Sequence, residues 1–156
     1  GGADILFQNT DSSAVLQTAE KMGKRAFGWD SDMTAYGPKA HLGSAVINWG
    51  PYYIKAVRDA LEGSWQGNTQ SWWGVKEGAI DMVSIAEDVP AEAKKKLEEV
   101  KAGLKDGSFV IWKGPIVGQD GKEVVAKDAV ADDKFLGGIN FYVKGVEGKV
   151  PGGDKK

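Results

Sequence analysis

The chain has no cysteine among its 156 residues, which excludes disulfides, thiolate metal sites and cysteine nucleophiles. It has a single histidine, His41, so a Ser-His-Asp triad would require that residue, and no G-x-S-x-G sequence marks a nucleophilic serine. Neither G-x-x-x-x-G-K-[ST] nor G-x-G-x-x-G follows a predicted strand. Phosphoryl transfer and dinucleotide chemistry therefore lack the motifs they usually require.

Long apolar runs and an excess of one charge are also missing. No run approaches the roughly 18 apolar residues that span a bilayer. The 20 basic and 22 acidic residues give a net charge of −2. This charge does not favour binding to a polyanion, so we expect no nucleic-acid partner. The chain opens without an initiator Met or a signal peptide, inside an apparent strand, and this indicates a fragment or a processed product.

Glycine and tryptophan are abundant, with 22 glycines and six tryptophans. Tryptophan offers a large apolar face and one hydrogen-bond donor, so a surplus indicates either a stacking site or packing between elements. Packing is the favoured interpretation for any single tryptophan. A domain whose tryptophans only pack therefore stays open as an alternative.

The first half of the chain alternates strand and helix patterns. "ADILFQ" (3–8) and "KRAFGWD" (24–30) read as strands, and between them "SAVLQTAEKMG" reads as a helix capped by Ser12 or Asp11 and ended by Gly23. Strand, helix, strand is a βαβ unit, which implies a parallel sheet. "HLGSAVINW" (41–49) predicts a third strand, and "PYYIKAVRDALEG" (51–63) a second helix.

The second half has weaker patterns. "QSWWGV" (70–75) and "AIDMVSI" (79–85) are β-prone, and "AEAKKKLEEVKAGLKDG" (91–107) predicts a solvated outer helix. "QDGKEVV" (119–125) predicts a hairpin because Asp-Gly suits a tight turn, and "NFYVKGVEGKV" (140–150) a final extended run. The whole pattern predicts an α/β fold.

Polar and aromatic residues follow each of the first three predicted strands, in "QNTDSS", "WDSDM" and "NWGPYY". In open parallel α/β sheets ligands bind beyond the carboxyl ends of the strands. Asp30 and Asp32 lie two positions apart there, and three interpretations are open for them. They are a metal or ribose site of a Rossmann-like enzyme, a catalytic pair, or contacts to a bound ligand. Ordinary polar loops and helix caps stay open as the alternative to any of these sites.

The strings "GWDSDM", "INWGPYYIKAV", "WWGVKEG", "FVIWKGPI", "QDGK" and "NFYVKGVEGKVP", taken in order, resemble the basic membrane protein family. Its members are PnrA-like purine or nucleoside receptors of ABC importers with the type I periplasmic binding fold. The resemblance runs from residue 1 to about residue 151. It implies a solute receptor that performs no catalysis and has no cofactor or metal.

The resemblance also implies how the chain is divided. The family has two three-layer α/β lobes joined by crossovers, and this chain matches the second half only. Residues 1–49 would be the βαβ portion of the second lobe, 50–66 a crossover helix belonging to the first lobe, and 67–156 the return to the second lobe with a C-terminal extension. The first lobe would be missing, so we expect the chain alone to bind weakly.

The same resemblance implies roles for residues at the strand ends. Asp30 would hold the ligand, whereas Asp32 would cap the following turn or brace the hinge. "INWGP" stands where nucleoside-binding members carry a lysine, and a Trp with an Asn suits a flat base. A purine base, with adenine favoured over a nucleoside, is therefore the expected ligand. The expected ligand-binding residues are Asp30, Asn48, Trp49, Asn9, Asp11 and Trp29.

The resemblance implies partners and a location as well. An ABC permease would receive the ligand from the closed receptor, which would be a monomer when intact. The receptor would be a periplasmic protein or a lipoprotein on the outer face of the inner membrane. The alternative from another class is the Rossmann-like enzyme fragment that uses Asp30 or Asp32.

Overall fold

A computed structural model describes residues 2–151, which divide into two units, one ending at Ser108 and one starting at Phe109. The first unit contains a four-stranded sheet in the order β1-β2-β3-β4. Its strands are Ile5–Leu6, Arg25–Asp30, His41–Ile47 and Ile80–Val83, numbered β1 to β4 in chain order. Its helices are Ala14–Lys21, Gly50–Leu61 and Ala91–Asp106, numbered α1 to α3.

The direction of the strands confirms an α/β fold with a mostly parallel sheet. β1, β2 and β3 run parallel, as the βαβ pattern predicts, while β4 runs antiparallel to β3. Ile47 at the end of β3 is opposite Ile80 at the start of β4. The carboxyl ends of β1 to β3 and the amino end of β4 therefore share one edge of the sheet.

The core of this unit lies between α1 and the sheet. Leu16 and Ala26 are fully buried there, with Ala19, Met33 and Ala40 close to it. Complete burial of a side chain such as Leu16 stabilises a fold by about 1.5–3 kcal/mol. Because Met33 belongs to the loop after β2, the core also fixes the start of that loop.

The structure confirms the predicted stop of α1 at Gly23 but not its predicted N-cap. The N-cap is Ser13, whose side chain makes no capping hydrogen bond, and not Ser12 or Asp11. The Ser12 hydroxyl accepts a hydrogen bond from the Ala14 amide at 3.2 Å, and Gly23 follows α1 with φ +63°. Gly107 ends α3 with φ +82°. A left-handed residue after a helix favours glycine because glycine lacks a Cβ. The sequence therefore located the C-terminal end of α1, while the predicted N-cap precedes the observed one.

Two predicted extended segments differ from the structure. "QSWWGV" (70–75) forms no strand but a loop, in which the Glu77 carboxylate accepts a hydrogen bond from the Gly74 amide at 2.8 Å. The segment 140–150 contributes only an isolated bridge from Val143 to Gly118. Aromatic and β-branched content raises strand propensity, but it does not supply a neighbouring strand with which to pair.

The second unit is built on a small antiparallel hairpin. Its strands are β5, Ile116–Val117, and β6, Glu123–Val125. The Asp120 carboxylate accepts a hydrogen bond from the Lys122 amide at 3.1 Å, so the predicted Asp-Gly turn is confirmed. A short helix, α4, follows at Asp133–Gly137, and the Asp132 carboxylate caps it by accepting a hydrogen bond from the Phe135 amide at 2.7 Å.

Candidate functional site

The shared edge of the sheet in the first unit carries most of the predicted ligand-binding residues. Asn9 follows β1, Asp30 ends β2, and Asn48 and Trp49 follow β3. Within residues 2–151, the exposed side chains of Asn9 and Asp11 make no hydrogen bond to protein. Gln8, which was not predicted, fixes this loop, because its amide donates to the Phe27 carbonyl at 3.0 Å.

Asp30 is exposed and has an unusual backbone conformation, with φ +70°. Few residues other than glycine adopt this region, and Asp and Asn are among those that tolerate it. No hydrogen bond or ion pair joins the Asp30 carboxylate to any other residue of the described chain. Its carboxylate is therefore free to accept hydrogen bonds from a ligand.

Asp32, two residues later, is fully engaged by the protein. One carboxylate oxygen accepts hydrogen bonds from the Thr34 amide at 3.0 Å and the Thr34 hydroxyl at 2.6 Å, and the other accepts from the Ser84 hydroxyl at 2.5 Å. The bonds from Ser84 and Thr34 lower the pKa of Asp32 from 3.8 to about 2. Asp32 therefore caps the turn, as the sequence predicts.

His41 lies beneath this turn and is 2% exposed. Its Nε2 is 2.8 Å from the Ser44 hydroxyl and its Nδ1 is 3.3 Å from the Thr34 hydroxyl. Burial lowers the pKa of His41 from its ordinary 6.5, although the Asp32 carboxylate opposes the shift. Ser44 is completely buried and accepts a hydrogen bond from the Met33 amide at 3.0 Å. A serine in this position is not accessible as a nucleophile.

Asn48 connects two segments of backbone at the edge. Its side-chain oxygen accepts from the Gly50 amide at 3.1 Å, and its side-chain nitrogen donates to the Gly78 carbonyl at 3.2 Å. The first bond stabilises the turn into α2, and the second ties that turn to the loop before β4. Asn48 thus lies where predicted, but these backbone bonds use one donor and one acceptor of its amide.

Trp49 lies in an aromatic cluster and is 53% exposed. Its ring centroid is 6.4 Å from that of Tyr52 and 6.0 Å from that of Tyr53. The Tyr52 ring is in turn 6.0 Å from the Trp73 ring, at an interplanar angle of 76°. Such separations are typical of favourable aromatic pairs.

This cluster borders an open cavity of about 440 Å³. That volume lies within the roughly 300–1,000 Å³ range of small-molecule sites. Sequence reasoning missed Tyr52, Ser71 and Trp73, and the excess of tryptophan was the feature that could have indicated them. The cavity is lined by Ile47, Asn48, Trp49, Tyr52, Ser71, Trp73, Ala79 and Ile80.

Trp29 has a different environment from Asp30. Successive residues of a strand point to opposite faces of a sheet, so Trp29 shares the face of Phe27. On that face the rings of Phe27 and Phe7 stack at 4.3 Å between centroids. Trp29 is therefore assigned to the face that carries the Phe7–Phe27 stack, whereas Asp30, with φ +70°, does not have strand conformation.

Four of the six tryptophans are exposed, while Trp29 and Trp73 are partly buried. Trp65 is 61% and Trp72 is 78% exposed, and Trp112 in the second unit is 49% exposed. Packing inside this chain therefore does not explain their number.

Among residues 2–151, no group of three or more His, Asp or Glu side chains is arranged to hold a metal ion. A search of the same residues finds no helix with both the length and the hydropathy of a bilayer span.

Comparison with known proteins identifies the family. The profile described as "ABC transporter substrate-binding protein PnrA-like" matches residues 1–111. The chain belongs to this family. The predicted resemblance is thereby confirmed, and with it the assignment of the α/β unit to part of a PnrA-like substrate-binding protein.

Two curated relatives match nearly the whole chain. A purine-binding protein of Brucella abortus is 43% identical over 150 residues, which are 96% of this chain and 42% of the relative. A putative ABC transporter glucose-binding protein of Haloferax volcanii is 24% identical over 151 residues, again 96% of this chain but 36% of the relative. The chain thus spans less than half the length of either relative.

A solved structure supports the fold alone. The transcriptional activator of the comK gene from Bacillus halodurans aligns with a TM-score of 0.61 at 16% identity. The alignment covers 69% of this chain and 38% of that structure. Its level of identity carries no information on ligand or activity.

Proposed function

We propose that this chain is part of a solute receptor of an ABC importer and that it binds a purine base, with adenine favoured over a nucleoside. One observation carries the proposal. A free, exposed carboxylate at Asp30 shares the sheet edge with the aromatic cavity at Trp49. A flat base needs both groups, because its ring stacks on an indole while its N–H groups donate to a carboxylate.

The register of the sheet supports joint action by these two residues. Asp30 is opposite Val46 of the neighbouring strand β3. Trp49 follows Val46 by three positions, just beyond the end of β3. The name of the Brucella relative supports a purine as the ligand class. The name of the Haloferax relative makes glucose the natural competing ligand for a test.

The division of the chain belongs to the same proposal. Residues 1–49 belong to the second lobe, 50–66 form a crossover helix of the first lobe, and 67–156 return to the second lobe and end in an extension. The exposed apolar side chains of α2 support this division, because a helix covered by another lobe needs such a face. They are Tyr53, Ile54, Val57 and Leu61, which are 59–84% exposed.

Family membership supports the partners and the location that we propose. The ligand lies between this lobe and a first lobe, and the closed receptor, a monomer, delivers it to an ABC permease. The receptor acts outside the cytoplasmic membrane, in the periplasm or as a lipoprotein on the outer face of the inner membrane. It performs no catalysis.

Calorimetric titration of the chain with adenine, adenosine and glucose tests the proposal. Adenine is expected to bind most tightly, without dependence on Mg²⁺. Substituting Trp49→Leu is expected to weaken adenine binding by about tenfold or more, because stacking on an aromatic ring contributes about 1–3 kcal/mol per base. Trp112→Leu, in the second unit, is the matched control and is expected to leave the affinity unchanged. Tighter binding of glucose, or turnover of a substrate that requires Mg²⁺, would overturn the proposal.

A further inference from the structure

A chain of hydrogen bonds runs beneath the loop that follows Asp30. It starts at the Asp32 carboxylate, passes through the Thr34 hydroxyl and the His41 imidazole, and ends at the Ser44 hydroxyl. The Met33 amide donates to that last hydroxyl. Both ends of this series of hydrogen bonds thus hold residues of the loop that follows Asp30.

The hydrogen-bonding capacity of each group sets the direction of the protons. An ionised carboxylate can only accept hydrogen bonds. The single hydroxyl proton of Thr34 is therefore donated to Asp32, over a distance of 2.6 Å. The Thr34 oxygen can then only accept from His41, which requires a proton on Nδ1. Neutral His41 therefore presents a lone pair at Nε2, and the Ser44 hydroxyl donates to it over 2.8 Å.

Any other protonation state of His41 leaves a group without a partner. If Nε2 carried the proton, the Nδ1 lone pair would face the Thr34 oxygen, whose own proton already lies on Asp32. If both nitrogens carried protons, the Ser44 hydroxyl proton would need a new acceptor at a fully buried position. Leaving such a group unsatisfied is costly in a protein interior.

The loop held in this way includes the strained end of β2. Asp30, with φ +70°, is followed by Ser31 and then by Asp32 and Met33, the two residues that the network fixes. A residue persists in a sparsely populated conformation only when its surroundings constrain it. The bonds to Asp32 and Met33 supply that constraint immediately after Asp30.

We propose that Thr34, His41 and Ser44 are positioning residues for the ligand-binding carboxylate of Asp30, with His41 fixed as the neutral Nδ1–H tautomer. This inference rests on the proposed function of Asp30. None of the three residues needs to contact the ligand, because they act through the backbone of the loop.

The charged groups near His41 support the neutral form on balance. An opening beside the imidazole is lined by Arg25, Lys39, Asp32, Glu87 and Asp88. Arg25 donates to both Asp88 oxygens, at 2.5 and 2.9 Å. Burial and the Arg25 charge lower the pKa of His41, while Asp32 raises it, and the net direction is downward.

Nitrogen NMR of the histidine-labelled chain tests the network directly, because the sequence has one histidine. At pH 7 we expect a protonated, pyrrole-like Nδ1 and an unprotonated, pyridine-like Nε2. Thr34→Val removes the hydroxyl and is expected to give a mixture of tautomers. Thr34→Ser keeps the hydroxyl and is expected to keep the wild-type spectrum. Thr18→Val, on the exposed side of α1, is the matched control for the loss of a threonine hydroxyl.

Titration of the same protein samples with adenine tests whether the three residues position Asp30. Loss of one hydrogen bond of this kind predicts that Thr34→Val weakens adenine binding by about 3- to 10-fold, whereas Thr34→Ser and Thr18→Val leave it unchanged. A protonated Nε2 in the wild type, or an altered tautomer in Thr34→Val without weaker binding, would overturn the inference. Wild-type adenine affinity in Asp30→Asn would instead overturn the proposed function, since the tautomer readout does not involve a ligand.

Discussion

At the scale of single residues, Asp30 combines a free carboxylate with a backbone that is costly for most side chains. The positive φ turns the chain away from the sheet directly after β2. Asp and Asn are several-fold enriched among the non-glycine residues that adopt this conformation. The position thus admits few residue types, and among them Asp supplies a negative charge.

Substitutions at Asp30 separate the backbone requirement from the charge. We expect Asp30→Asn to change the free energy of unfolding by less than about 0.5 kcal/mol, and Asp30→Ala to cost about 1 kcal/mol because alanine disfavours positive φ. Both variants are expected to weaken adenine binding by about tenfold or more, because hydrogen bonds to charged groups contribute about 1.5–3 kcal/mol. Thermal unfolding and calorimetry measure the two effects. Equal stability of the Asn and Ala variants would contradict the backbone argument.

The buried imidazole of His41 makes stability depend on pH. Its pKa is lower in the folded protein than the ordinary 6.5, so between these two values the unfolded chain binds the extra proton. The free energy of unfolding therefore falls as pH drops below 6.5 and stops falling below the folded pKa.

Urea unfolding at a series of pH values between 7 and 5 measures this loss. Most carboxylates titrate at lower pH, and the chain has one histidine, so the slope in this range is assigned to His41. We expect His41→Gln to be less stable at pH 7 but to lack the slope. A slope that persists in His41→Gln would show that another group titrates.

At the scale of elements, Gly28 is the point where β2 lies closest to β3 and to the loop that follows β2. A Cβ at this position would lie 2.2 Å from the Ser44 hydroxyl oxygen and 2.8 Å from the Met33 Cβ. Neither neighbour can move freely, because Ser44 is fully buried and Met33 is part of the core. The glycine is therefore required by packing and not by its dihedral angles.

We expect Gly28→Ala to lower the free energy of unfolding by about 1–3 kcal/mol, the usual cost of overpacking a filled core. Gly74→Ala is the matched control, since no atom lies within 4 Å of its added Cβ, and its effect is expected to stay within about 0.5 kcal/mol. Denaturant unfolding of the two variants makes the comparison. Equal stabilities would mean that the β2–β3 contact adjusts without cost.

Local sequence patterns predicted most helices and strands, but they did not predict contacts between residues far apart in sequence. Apolar runs and Gly23 located α1, and an Asp-Gly pair located the turn of the second unit, because these features depend on neighbours in sequence. The antiparallel direction of β4 depends on its pairing with β3, and "QSWWGV" became a loop for lack of such a partner. Tertiary context overrides strand propensity in such segments.

The site was predictable to the same extent. Asp30, Asn48 and Trp49 could be placed at strand ends from sequence, since parallel strands align their carboxyl ends. The contact of His41 with Thr34, and that of Ser84 with Asp32 across 52 positions, depends on loop conformation and could not be read from spacing. The shared face of Phe27 and Trp29 follows from strand alternation, which the sequence reasoning did not apply to Trp29.

At the scale of the whole molecule, the cavity at Trp49 is open and the chain spans 42% of the Brucella relative. Buried sites cover about 70–90% of a small ligand's surface. A ligand on one open edge is covered on one side only. We therefore expect adenine to bind this chain weakly, with the second wall of the site coming from another lobe.

A chimera tests this expectation. Here the present chain replaces the matching 150-residue segment of the Brucella purine-binding protein, which supplies the rest of the receptor. Adenine is expected to bind the chimera at least about 100-fold more tightly than the chain alone, a gain of about 2.7 kcal/mol. Calorimetry compares the two proteins under one buffer condition. Equal affinities would mean that this chain holds the complete site.

The apolar face of α2 gives an independent readout of the same assembly. Leu61 is 84% exposed, so in the chain alone Leu61→Ser is expected to change the free energy of unfolding by less than about 0.5 kcal/mol. In the chimera the first lobe would bury this side chain, and the same substitution is expected to cost about 1.5–3 kcal/mol. Glu62→Gln, its exposed polar neighbour, is expected to be neutral in both proteins. If Leu61→Ser has the same small effect in the chimera, the helix does not cross into a first lobe, and the division at residues 50–66 is wrong even if adenine binds.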